Sequence, residues 1–119
     1  MSDDICYLPA TELAEALRTS QLSSREATSA FLTRIDEVSP RVNAVVTLAA
    51  MALAEADRAD ELPASGADLP ASGADLPALH GVPMVHNDTH LTKGIRTTFG
   101  SSALANSVPD EDELIIARL

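Results

Sequence analysis

The heptapeptide Leu62-Pro63-Ala64-Ser65-Gly66-Ala67-Asp68 is repeated without change at Leu69 to Asp75, and a third copy opens at Leu76-Pro77-Ala78. A seven-residue period is that of a coiled coil, but every copy carries a proline. Proline lacks the backbone donor and clashes with the turn before it, so a continuous helix through the repeat is forbidden. The small and turn-forming residues between the prolines read as a duplicated surface linker with no function of its own. The repeat therefore divides the 119-residue chain into a helical N-terminal part, 1–61, a linker, 62–78, and a part, 79–119, expected to hold a strand, a loop and the start of a helix. The length suits one domain and leaves little room for two independent cores.

Within the first part, Leu13 and Leu17 lie four apart, with Glu12 and Glu15 before Arg18. This is a short amphipathic helix whose charges match its dipole. Ser23-Ser24-Arg25-Glu26 fits a capping box, with a serine cap and a glutamate three residues on. Ala27, Phe31, Ile35 and Val38 then form a stripe at helical spacing, and Pro40 is expected to stop the helix. Val42 to Leu48 is apolar and β-branched, which predicts a short strand or extended turn before a third helix in the alanine-rich stretch 49–59.

Beyond the repeat, Gly81-Val82-Pro83-Met84-Val85-His86-Asn87-Asp88 predicts a turn feeding a strand, with Pro83 near the strand's beginning. Thr97 to Ser102 reads as a loop. Pro109-Asp110-Glu111-Asp112-Glu113 predicts an acid-rich helix start, with Leu114, Ile115, Ile116 and Leu119 behind it. That helix lacks a Gly or Asn cap and carries a carboxylate at the wrong pole of its dipole, so it reads as cut off.

Charge narrows the function classes. A net charge of −10 with only eight scattered Lys and Arg residues offers no basic stripe to displace counterions from phosphates, which excludes nucleic acid. It disfavours anionic membrane surfaces as well. No apolar run approaches the ~18 residues of a membrane span, and the acidic start is unlike a signal peptide, so a cytoplasmic location is expected. With no Trp, one Tyr and two Phe, the core gains little burial per side chain. Cys6 is the single cysteine, which leaves neither an intrachain disulfide nor a thiolate cluster, and it reads as a small residue near the terminus.

Three groups of residues together resemble the amidase signature family. Tyr7 to Leu13, Leu22 to Glu26 and Pro40 to Val46 look like the family's opening helices. Leu79-His80-Gly81-Val82-Pro83-Met84-Val85-His86-Asn87-Asp88 resembles its catalytic-lysine strand, and Gly94-Ile95-Arg96-Thr97-Thr98-Phe99-Gly100-Ser101 the loop after it. The last two blocks are the specific ones, because several identities coincide at fixed spacing. The resemblance implies an α/β fold, with an N-terminal helical layer plus the first strands of a mixed sheet, incomplete in this chain. It also implies carboxamide hydrolysis by a Ser–Ser–Lys triad, in which a neutral lysine takes the proton of a serine relay and backbone donors meet the oxyanion.

Two departures separate this chain from that chemistry. The family pattern Gly-Val-Pro-x-x-x-Lys-Asp places Asn87 at the lysine, and a carboxamide has no usable basicity near neutral pH. The serine-rich stretch of the family lies beyond Leu119. Triad members act as a unit, so either departure is expected to remove most activity. Asn87 is accordingly the one catalytic-position residue, and it is expected to be non-functional. Lys93, the only lysine, reads as a solvated loop residue rather than a substitute base.

Other sites weigh less. His86, Asp88 and His90 alternate, so an extended segment would point them to one face as a two-histidine, one-carboxylate iron set. The spacing is unusually local, and ordinary polar residues at a strand end are the expected reading. His80 reads as structural. Ser101 and Ser102 lack a nucleophile elbow and read as loop or capping residues. The expectation is therefore an inactive amidase-family N-terminal segment, without cofactor or metal. The competing reading is a binding or structural module that pairs with a small amide ligand or a complementary chain. Two or three short strands alone leave edges and an apolar face uncovered, which predicts weak or dimerisation-dependent folding.

Overall fold

The computed structural model describes residues 2–64 and 76–119. Its helices are α1 (Ser2–Cys6), α2 (Ala10–Arg18), α3 (Ser24–Val42), α4 (Ala52–Ala64) and α5 (Leu114–Ala117), with a 3₁₀ turn at Ser102–Leu104. Two units are distinguished. The first comprises Met1–Ala44 and Ala50–Pro83, and the second Val45–Ala49 and Met84–Leu119. Most of the repeat lies outside the described residues, so the linker reading of it is not addressed.

The first unit is built on α3. Ser23 Oγ accepts from the Glu26 N–H at 3.0 Å, while the Glu26 carboxylate accepts from the Ser23 N–H at 2.9 Å. This is the capping box that the sequence announces. The two donors it leaves open go to α4: Asp60 Oδ1 accepts from the Ser24 N–H at 2.6 Å and Oδ2 from the Arg25 N–H at 3.0 Å. The first turn of α3 thus has its orphan donors met by side chains from its own cap and from a neighbouring helix. Ser24 is buried and donates its hydroxyl to the Gly81 carbonyl at 2.6 Å, and His80 Nε2 lies 2.9 Å from the Ala59 carbonyl. Helices α3 and α4 and the 79–81 turn are thereby stitched at one junction. Ala27, Ala30 and Ala56 are buried, and their lack of bulk suits close helix packing.

Helix α2 buries Leu13 and closes with a Schellman pattern. The Gln21 N–H reaches the Ala16 carbonyl at 2.9 Å and the Ser20 N–H the Leu17 carbonyl at 3.1 Å, with Ser20 at φ 57°. Helix α1 approaches α3, where Arg34 Nη2 donates to Tyr7 Oη at 3.0 Å.

Four expectations are corrected. The α/β fold is the main one: among the described residues there is no strand, and the fold is helical. Residues 43–49 and 82–87 have no regular structure. Their β-branched composition favours extension, but a strand exists only with a ladder partner, and neither segment finds one. Second, Pro40 does not stop α3. It sits inside the last turn, and the helix ends two residues later at Val42, capped by Asn43, which takes the left-handed conformation at φ 46° and donates its N–H to the Ser39 carbonyl at 2.7 Å. Third, the apolar stripe on α3 is only partly covered. Ala27 is buried, whereas Phe31, Ile35 and Val38 are half-buried. Fourth, the acids 110–113 precede the final helix rather than opening it; Glu113 is the N-cap residue but makes no side-chain cap bond.

Candidate functional site

Residues 84–88 of the lysine-position stretch and the loop after it belong to the second unit. Asp88 organises them. Its carboxylate accepts from the Thr98 N–H at 2.8 Å and, through the other oxygen, from the Thr98 hydroxyl. Its carbonyl accepts from the Phe99 N–H at 2.9 Å. The Thr98 hydroxyl and N–H, aided by the Gly100 N–H and the Arg96 charge, hold the Asp88 carboxyl below the usual carboxylate range. Phe99 and Gly100, at φ 53° and 67°, form the centre of a tight turn closed by the Ser101 N–H on the Thr98 carbonyl at 2.9 Å. Two successive positive φ values mark a type I′ geometry, and glycine meets that demand at one of them without strain.

Arg96 ties segment 45–49 to this loop. Nη2 donates to the Val46 carbonyl at 2.9 Å, Nε to Thr47 Oγ1 at 3.2 Å and Nη1 to the Ala105 carbonyl at 3.3 Å. A fork of fixed donors suits this task, because three acceptors are met from one planar group.

The acids before α5 perform a similar service. Lys93 donates its backbone N–H to Asp112 Oδ1 at 2.7 Å. Glu113 accepts from the Leu91 N–H at 3.2 Å and pairs with His90 Nδ1. The Glu113 N–H returns to the Leu91 carbonyl at 3.0 Å. The turn at 90–93 is therefore clasped onto residues 112–113 by side chain and backbone together.

Asn87 stands beside this scaffold with its side chain exposed. Its carbonyl accepts from the His90 N–H at 3.1 Å, while its carboxamide makes no hydrogen bond among the described residues. The backbone at 87–88 is thus held by the His90 and Phe99 N–H groups, with the Asn87 side chain exposed. The carboxamide can donate and accept hydrogen bonds but cannot act as a base near neutral pH.

His86, Asp88 and His90 are each engaged separately. Thr92 Oγ1 lies 2.7 Å from His86 Nε2 and 3.1 Å from the His90 carbonyl. Asp88 serves Thr98 and His90 serves Glu113, so the three side chains turn to three different partners. Among the described residues no group of three His, Cys, Asp or Glu is placed to hold a metal. Ser101 caps the 3₁₀ turn, accepting from the Ala103 N–H at 3.3 Å, and Lys93 is exposed. His80 has the structural role described above.

Sequence reasoning passes over Thr98, Arg96 and Glu113 as site-shaping residues. Arg96 and Thr98 lie inside the block resembling the family loop, which is the available signal. Glu113 carries none, because its partners lie over twenty residues away. An open cleft in the first unit is lined by Thr11, Ala14, Leu17, Leu22, Ala59 and Asp60, with Ser24 and His80 among its further lining residues. Ser24 donates to the Gly81 carbonyl and His80 Nε2 lies against the Ala59 carbonyl.

Comparison with known proteins places these residues in context. The family model described as Amidase matches residues 26–119. The chain is 44% identical over 109 residues to the A subunit of the glutamyl-tRNA(Gln) amidotransferase of Alkalilimnicola ehrlichii, covering 91% of this chain and 21% of that protein. It is 39% identical over 116 residues to the protein of the same name from Acinetobacter baylyi, covering 97% and 22%. A third, from Geotalea daltonii, is 41% identical over 109 residues, covering 91% and 21%. The chain spans about one fifth of the length of these curated relatives. Among the described residues no helix is long and apolar enough to cross a membrane.

Proposed function

This chain belongs to the amidase family, and we propose that it supplies the N-terminal segment of an amidase-family polypeptide while contributing no catalytic base of its own. The observation carrying the second half is Asn87. It occupies the position where the resemblance implies a lysine, immediately before an Asp88 that accepts from the Thr98 N–H and hydroxyl. A carboxamide there supplies no base. A serine hydroxyl facing Asn87 keeps its proton, because a carboxamide nitrogen is not basic and its oxygen is far too weak an acceptor to remove it. The site keeps recognition chemistry only: the Asn87 carboxamide can hold a ligand carbonyl or amide by hydrogen bonds.

The reaction class of the family, hydrolysis of a carboxamide C–N bond, is extended to this chain as ancestry rather than activity. The purified chain should release no ammonia from simple carboxamides above a matched blank, and release above it would overturn the proposal.

A second reading concerns assembly. The relatives are named as one subunit of an amidotransferase, and we extend to this chain a complementary polypeptide as partner. The acidic net charge and the missing basic stripe support a protein or small amide partner in a cytoplasmic setting rather than direct contact with nucleic acid. A partner that co-purifies at fixed stoichiometry is the expected result; a clean monomer in the native extract would count against it.

A further inference from the structure

Residues 90–94 are held on residues 109–113 by several polar contacts, and one of these is made by a histidine. The Gly94 N–H donates to the Pro109 carbonyl at 3.0 Å and the Glu113 N–H to the Leu91 carbonyl at 3.0 Å. Asp112 Oδ1 accepts from the Lys93 N–H at 2.7 Å. The Glu113 carboxylate divides its oxygens: Oε2 accepts from the Leu91 N–H at 3.2 Å, and Oε1 pairs with His90 Nδ1. Backbone groups do not titrate, and carboxylates ordinarily stay ionised between about pH 5 and 8, the range in which histidine changes charge.

The surroundings of the pair let that change be felt. The His90 and Glu113 side chains are 35% and 31% exposed, so water screens them less than a fully exposed pair. From its own stretch, His90 meets the edge of the His86 ring, with centroids 6.1 Å apart, and charge on both rings opposes the pair. From the facing stretch come Glu113 and, one residue before it, Asp112, whose charge favours a protonated His90; Asp110 and Glu111 carry the same sign. Asp88 is spent on Thr98, and Arg96 on Val46, Thr47 and Ala105. Lys93 and Arg118 are exposed, and residues 45–49 carry no titratable side chain.

We propose that His90 and Glu113 form a pH-sensitive latch on the 90–94 turn, closed in mildly acidic solution and loosened as pH rises through neutrality. With the imidazole charged and the carboxylate ionised, the bond is charge-assisted. Once the proton leaves, what remains is a neutral Nδ1–H donor at best, roughly half as strong. The stabilisation therefore belongs to the acid end of the histidine range and is lost as pH rises. Glu113 still accepts from the Leu91 N–H, so the turn loosens rather than detaches. The latch also reaches the lysine-position residue, because the His90 N–H donates to the Asn87 carbonyl at 3.1 Å. Order in the backbone at Asn87 follows the charge on His90, whatever the Asn87 side chain binds.

The test measures amide hydrogen exchange by NMR on the full chain at about pH 5.5 and about pH 7.5, on either side of the histidine range. Each rate is divided by the intrinsic rate of an unstructured amide at the same pH. Protection of the Leu91 and Glu113 amides is expected to fall about threefold between the two conditions. His90→Gln, which keeps a neutral donor, and Glu113→Gln, which keeps an acceptor, should each show the lower protection throughout and lose that fall. His80 and His86 are retained in both variants, so a fall that they cause would persist there. Unchanged far-UV circular dichroism shows that the helices of both variants are intact. Protection in the parent that is flat or rises with pH, an equal fall in His90→Gln, or no protection of these amides at either pH would each overturn the proposal.

Discussion

Asp60 is the residue on which the first unit turns, and its removal is a quantitative test. Asp60→Ala strips the partner from two backbone donors at the start of α3, the Ser24 N–H at 2.6 Å and the Arg25 N–H at 3.0 Å. Arg25 is exposed and water replaces what it loses, whereas Ser24 is buried and its donor is left poorly served. Losing a side-chain cap costs about 1 kcal/mol. Losing a carboxylate at the positive pole of a helix adds about 0.5 kcal/mol, and the half-stranded donor at Ser24 about as much again. The sum is about 2 kcal/mol, some 30-fold in the folding equilibrium. Asp60→Asn keeps one oxygen acceptor and loses the charge, so about half that cost is expected. Urea unfolding followed by far-UV circular dichroism reads both, with an unchanged denaturant slope. An alanine variant within a few tenths of a kcal/mol of the parent, or an asparagine variant as costly as alanine, would refute the reasoning.

Three further perturbations follow from the same structure. Gly81 lies at φ +73°, and an added Cβ would stand 3.3 Å from the Ser24 Cβ and Oγ, so Gly81→Ala should cost about 2 kcal/mol from left-handed strain plus a tight contact, measured by the same unfolding assay. Ser20 occupies the same backbone region at φ 57° in the Schellman closure of α2, so Ser20→Gly should stabilise by about 0.5 kcal/mol, and a loss of stability would contradict that closure. Asp88 has its folded-state pKa depressed by Thr98. Its contribution is therefore fully present above the unfolded carboxylate value of about 3.9 and is lost as pH falls through the lower folded value. The Thr98 and Gly100 amide resonances should report an Asp88 midpoint below that of exposed carboxylates, and a midpoint at or above the ordinary value would sink the assignment.

What the sequence reveals divides along the range of the interactions involved. The capping box at Ser23 and Glu26, the helix around Leu13 and the role of Ser101 depend on residues within four positions of one another, and the sequence displays such spacing directly. Asp60 capping α3, Arg96 gathering Val46 and Ala105, and Glu113 holding Leu91 join residues from nine to fifty positions apart, for which a single sequence carries no sign. The two expected strands fall to the same limit. Val42 to Leu48 and Val82 to Asn87 have strand composition, but pairing is a non-local property and neither segment meets a partner. The acids 110–113 mislead for a related reason: they look like the first turn of a helix, and the structure spends two of them on the turn at 90–93. Pro40 is a boundary signal two residues early, since the last turn of α3 accommodates it before Asn43 turns left-handed. At the candidate site, Asn87 is visible through its motif, whereas the clamp that fixes its backbone is not.

The most direct test of the central claim replaces the matched stretch of the Alkalilimnicola relative with this chain, once with Asn87 and once with Asn87→Lys, and measures ammonia release from simple carboxamides. No hydrolysis above blank is expected with Asn87 and clear hydrolysis with lysine, because Asn87→Lys restores a group that can take the serine's proton. Hydrolysis by the Asn87 form, or two forms that cannot be told apart, would contradict it.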